Sequence, residues 1–131
     1  MDKNKSLTIN EIFSLAVKNH QEGKTDIAQK FYNQVISIDP NYSQAHNNLG
    51  VIFKTLGENQ KAIDYLKKAI KINPNYADAH NNLGLIFKKL GEYQKAKECY
   101  DKTIVINPNH INVHYNLGVI FKELGENQKA K

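Results

Sequence analysis

From Ala45 onward the apolar residues recur at intervals of three and four. Ala45, Leu49, Ile52, Phe53 and Leu56 fall on one face of a helix, while Gln44, Asn47, Asn48, Val51, Lys54 and Thr55 fall opposite. Gly57 breaks the pattern where a chain leaving a helix turns through positive φ. A second run, Ala62, Leu66, Ala69 and Ile70, keeps the spacing until Asn73-Pro74, because the residue before proline is biased out of the helical region. The stretch therefore predicts two helices joined by a tight turn. Thr25, Asn59 and Asn127 stand where second helices should begin and are expected to cap them. Thr8 with Glu11 has the capping-box pattern for the start of the first helix. Asp64 with Lys68 and Glu98 with Lys102 are expected ion pairs on exposed faces.

The unit is written several times. AHNNLGVIFKTLGE at 45–58 returns as AHNNLGLIFKKLGE at 79–92 and as VHYNLGVIFKELGE at 113–126. Pro40, Pro74 and Pro108 recur on a step of 34, and Gly23, Gly57, Gly91 and Gly125 keep the same step. A period of this length marks a stacked array, since one helical pair cannot bury its own apolar face. The expected organisation is a lead-in at 1–8 and repeats at 9–42, 43–76 and 77–110. A partial fourth at 111–131 holds one helix and the start of another. Its last helix keeps Leu117, Ile120, Phe121 and Leu124 in the core register instead of a polar cap, which predicts that the array continues in a longer protein.

Composition narrows the function. The chain has 131 residues, 40% hydrophobic and 24% charged, and no apolar run near the ~20 residues that span a bilayer, so no membrane partner is expected. MDKNKSLTINEIF lacks a signal-peptide core, and Cys99 is the only cysteine, so a cytoplasmic location is expected. Net charge is +5, but every basic residue is Lys. Without the planar fork of Arg, and without a series of stacking aromatics, nucleic acid is not the expected partner. His46, His80 and His114 lie a full repeat apart and cannot converge on one metal ion, so they are expected to pack or hydrogen-bond. No nucleophile–base set or phosphate-cradling glycine loop is present, so neither enzymatic activity nor a cofactor is expected.

The series Leu49, Gly50, Phe53, Gly57, Ala62, Leu66, Ala69 and Pro74 resembles the tetratricopeptide repeat family, as does Leu83, Gly84, Phe87, Gly91, Ala96, Tyr100, Thr103 and Pro108. The resemblance covers 9–131; the first unit departs most, with Ala16 and Asn19 at the Gly and aromatic positions. It implies an all-α, right-handed superhelical solenoid whose first helices line a concave groove. Its expected groove residues are Asn47, Asn48, Val51 and Lys54; Asn81, Asn82, Leu85 and Lys88; and Tyr115, Asn116, Val119 and Lys122.

Asn48, Asn82 and Asn116 would form a ladder, one amide per repeat, each with a donor and an acceptor for a peptide backbone. The ladder is similar to that in the repeats of O-GlcNAc transferase, where such asparagines hold substrate backbone. The bland alternative is that these amides bond repeat to repeat. The family's carboxylate clamp for chaperone C-termini is not expected, because two of its basic positions carry Asp78 and Asn82. The leading expectation is a scaffold that holds an extended peptide or partner helix. The alternatives are a substrate-presenting arm of a larger enzyme such as a glycosyltransferase and, remotely, RNA binding. Self-association through the C-terminal end is expected if the last helix exposes its apolar side.

Overall fold

The computed structural model describes the chain from Ser6 to Lys129, and side chains from Ser6 to Gly125. Seven helices follow in order: α1 (Ile9–Gln21), α2 (Thr25–Ile38), α3 (Ser43–Thr55), α4 (Asn59–Ile72), α5 (Ala77–Lys89), α6 (Tyr93–Ile106) and α7 (Ile111–Lys129). Each of α1/α2, α3/α4 and α5/α6 is a hairpin, and each hairpin packs on the next. Beyond its chain neighbours, α3 meets α5 and α5 meets α7, whereas α2, α4 and α6 do not meet one another to a comparable extent. A stack whose odd helices crowd together bends around them. The odd helices therefore line the inside of the curve.

The hairpin turns obey the glycine rule. Gly57 has φ 78°. Its N–H donates to the Lys54 carbonyl at 3.1 Å, and the Glu58 N–H donates to the Phe53 carbonyl at 2.9 Å. That paired closure satisfies two carbonyls at the end of α3. The proline turns use a different device. Asn73 leaves α4 in extended geometry, and its Oδ1 accepts the Asn75 N–H at 3.2 Å. The histidine of each following helix then clamps the turn. Nε2 of His46, His80 and His114 donates to the carbonyl of Pro40, Pro74 and Pro108 at 2.8, 2.9 and 2.7 Å. The three in-register histidines are turn staples.

The core runs unbroken through the stack: Ala16, Ala28, Tyr32, Leu49, Ile52, Leu66, Ile86, Tyr100, Val113 and Ile120 are all fully buried. Leu56, expected on the apolar face, and its counterpart Leu90 are 51% and 45% exposed, since the turn at the next residue carries them out of the packed seam.

Several local expectations change. The Thr8–Glu11 capping box is present. Thr25 and Asn59 are the first helical residues and not caps; Lys24 and Glu58 precede them without a side-chain bond. The side chain of Asn127 lies outside the described residues. Asp64 accepts from Gln60 instead of pairing with Lys68. On α6 the ion pair is Lys97–Asp101 at 2.8 Å, not Glu98–Lys102. Exposed side chains choose among neighbours one turn away in either direction, and the free-energy differences are small.

The largest departure is α7. The turn expected at Gly125 does not form, and the helix continues to Lys129. Glycine inside a helix costs only about 1 kcal/mol, so it permits a turn without enforcing one. At Gly57 and Gly91 the returning helix packs back and secures the reversal; among the described residues none packs back on α7. Phe121 is accordingly 56% exposed, where its counterparts Phe53 and Phe87 are each 8%.

Candidate functional site

The inner surface is built from i, i+3 and i+6 positions of the odd helices, which share a face by helical geometry. Asn48, Val51 and Lys54 on α3 are half-buried, as are Asn82, Leu85 and Lys88 on α5. On α7, Val119 is half-buried, Lys122 is exposed and Tyr115 is 74% exposed. The result is three parallel rows running from repeat to repeat: amide, apolar and cationic.

The structure separates the asparagines into two kinds. Asn47 and Asn81, expected to face the groove, are each only 5% exposed. They sit beneath the next repeat, where Asn47 Oδ1 accepts from Asn82 Nδ2 at 3.1 Å and Asn81 Oδ1 accepts from Asn116 Nδ2 at 3.2 Å. Asn116 is itself 6% exposed. These bonds tie α3 to α5 and α5 to α7, and they set how neighbouring hairpins sit on one another. Tyr115 occupies the same column as Asn47 and Asn81 and stays exposed, because among the described residues no later helix covers it.

The chain of amides continues backward. Asn47 Nδ2 donates to Asn48 Oδ1 at 3.1 Å, Asn48 Nδ2 donates to the Tyr32 hydroxyl at 3.2 Å, and that hydroxyl lies 3.4 Å from His20 Nδ1. Five side chains from α1, α2, α3 and α5 thus form one connected polar seam. Such a seam resists rotation of each amide, because each holds its neighbour's orientation. Burial raises the Tyr32 pKa against the opposing Asn48 bond and lowers that of His20, so both stay neutral near pH 7.

Amide accounting shows what remains for a ligand. Each Asn carries two N–H donors and one carbonyl oxygen. Asn82 uses a single N–H, and its oxygen has no partner among the described residues; Asn48 keeps one N–H. The usable ladder is therefore Asn48 and Asn82, shorter than expected. The cationic row is crowded: the Lys54 pKa is lowered chiefly by burial and then by the charges of Lys88 and Lys89. Lys89, the counterpart of Thr55 on the face opposite the apolar one, joins the row through its charge on Lys54. Tyr32 was also missed, and its only signal was a polar atom at a core position it shares with Leu66 and Tyr100.

A curved stack of two-helix hairpins, with a polar seam between units and an open inner face, defines a helical-repeat solenoid. Models of the tetratricopeptide repeat match residues 14–42, 31–64 with 99–131, and 77–110, and a TPR repeat model matches 52–91. Two crystal structures of MamA are 31% identical to the chain, each with a TM-score of 0.82. They cover 90% and 94% of this chain and 69% and 67% of their own. The first TPR of Spaghetti (RPAP3), solved bound to the HSP90 peptide SRMEEVD, shares the fold with a TM-score of 0.85 at 21% identity. That match covers 92% of this chain and 96% of the other. No curated protein matches the chain in sequence. The chain belongs to the tetratricopeptide repeat family, and its architecture is the all-α, right-handed superhelical solenoid of that family. No helix among the described residues is long and apolar enough to cross a membrane.

Proposed function

We propose that the protein is an interaction scaffold that holds an extended peptide segment of a partner along its concave face. The observation that carries this reading is the pair of half-buried amides, Asn48 and Asn82, oriented by the polar seam and left with unused hydrogen-bonding capacity beside the apolar row Val51, Leu85 and Val119. An amide held in place before binding loses little rotamer freedom when a ligand arrives. It also bonds peptide backbone whatever the side chain, so affinity comes from main chain and selectivity from the flanking rows. Kinship with a domain solved on a bound peptide is consistent with this use of the fold.

The test is selection from a displayed library of random linear peptides, followed by affinity measurement on the Asn48→Ala/Asn82→Ala variant. Two net hydrogen bonds of about 1 kcal/mol each predict roughly a tenfold to thirtyfold loss, with helical circular dichroism retained. Full affinity in the double variant overturns the groove assignment.

The bare face of α7 supports a second contact, between copies of the chain. Phe121 is 56% exposed and Gly118 has open space around it. Sedimentation at rising concentration should reveal dimers that Phe121→Glu disperses. A monomer at every concentration removes this contact.

A further inference from the structure

The cationic row carries a more specific reading of the same groove, and it rests on the peptide-scaffold proposal. We propose that the ligand is an acidic peptide in the polyproline II conformation, with carboxylate side chains at every third position seated on Lys54 and Lys88. Both lysines are half-buried on the inner face, in the same register on adjacent helices. Among the described residues neither has a carboxylate within ion-pair distance. Lys89 adds to the positive field, and the depressed proton affinity of Lys54 reflects both burial and this crowding. A carboxylate between Lys54 and Lys88 would relieve repulsion that the free protein carries, so charge complementarity selects an anionic occupant.

Spacing selects the conformation. Neighbouring packed helices lie about 8–10 Å apart, and α3 and α5 are in direct contact through Asn47 and Asn82. A β-strand rises about 3.3 Å per residue and alternates faces, so residues three apart point oppositely. A polyproline II chain has three residues per turn and a rise of about 3.1 Å, which returns the same face every ~9 Å. Of the two, the polyproline II repeat is the one that falls within that helix spacing. Its backbone forms no internal hydrogen bonds, which leaves its N–H and C=O groups available to Asn48 and Asn82. Carboxylates at i and i+3 would then reach Lys54 and Lys88, and the apolar row would pack against intervening proline or alanine.

The test uses fluorescein-labelled synthetic peptides titrated into the full chain at low salt. One has Glu at every third position in a proline–alanine background. A second has the same composition with Glu at every second position, and a third replaces Glu with Gln. The first should bind about fivefold or more tightly than either of the others, and the preference should vanish in Lys54→Gln/Lys88→Gln. These half-exposed substitutions remove repulsion, so the variant should stay folded, as circular dichroism will report. Equal binding of the Glu and Gln peptides overturns the acidic-ligand proposal while leaving the peptide groove standing. Preference for Glu at every second position overturns the polyproline II geometry. No binding of any peptide, or stronger binding of an oligoribonucleotide of equal charge, overturns both readings.

Discussion

Tyr32 and Tyr100 occupy the same position in the first and third units, each with a ring that is fully buried, yet their hydroxyls have opposite fates. The Tyr32 hydroxyl accepts from Asn48 and meets His20. The Tyr100 hydroxyl is buried with no hydrogen-bond partner among the described residues. The cause lies in register: the position matching His20 is Lys88, and the amide matching Asn48 is Asn116, which bonds Asn81 instead. Tyr→Phe at the two sites therefore tests one substitution in two electrostatic environments. At Tyr100 it removes a desolvated hydroxyl worth about 1–3 kcal/mol of cost, offset by a few lost contacts of about 0.1–0.2 kcal/mol each, so the protein should gain about 1–2 kcal/mol. At Tyr32 it deletes a satisfied hydrogen bond and strands the Asn48 donor, for a loss of about 0.5–1.5 kcal/mol. Urea unfolding followed by far-ultraviolet circular dichroism measures both as midpoint shifts at constant m. The midpoint should rise in Tyr100→Phe and fall in Tyr32→Phe. Two falls of equal size would refute the claim that the Tyr100 hydroxyl is unsatisfied.

Other outcomes follow from single contacts. A Cβ at Gly84 would lie 2.5 Å from Cε1 of Tyr100, a ring with nowhere to go, so Gly84→Ala should destabilise by about 1–3 kcal/mol; Gly118→Ala, in open space, should stabilise by up to about 1 kcal/mol, and thermal melts will separate them. Asn47→Ala removes the acceptor of Asn82 and the donor to Asn48, and a loss of about 1–2 kcal/mol in urea midpoint is expected, with faster amide exchange in α5. Burial, with the Glu98 charge, pushes the Cys99 thiol to about 11 from 9.0, against the opposing Lys67. Because the folded value lies above the unfolded one, the unfolded chain ionises first, and stability should fall as pH rises from about 9 to about 11; Cys99→Ala should flatten that slope.

The helices, the hairpin turns and the core were legible in the sequence because each depends on neighbours a few residues away. Period 3.6 placed Leu49, Ile52 and Leu66 inside; proline and glycine marked the ends; and exact recurrence every 34 residues meant that one unit explained the rest. What the sequence could not separate was Asn47 from Asn48. The two are adjacent and chemically identical, and only the α5 helix, arriving 35 residues later, decides that the first is buried and the second stays half-open. The same holds for Tyr115, which shares that column and is exposed. Gly125 makes the point from the other side. It has the residues of a turn and, among the described residues, no packed helix to secure one, so local hydrogen bonding carries α7 straight through. Lys54 was expected in the groove, but its burial and its crowding by Lys88 and Lys89 arise only once the units stack. Local periodicity determines the elements in a repeat protein. Burial, partner choice and electrostatic strain belong to the interfaces between units, where the free energy depends on groups that meet only after the stack has formed.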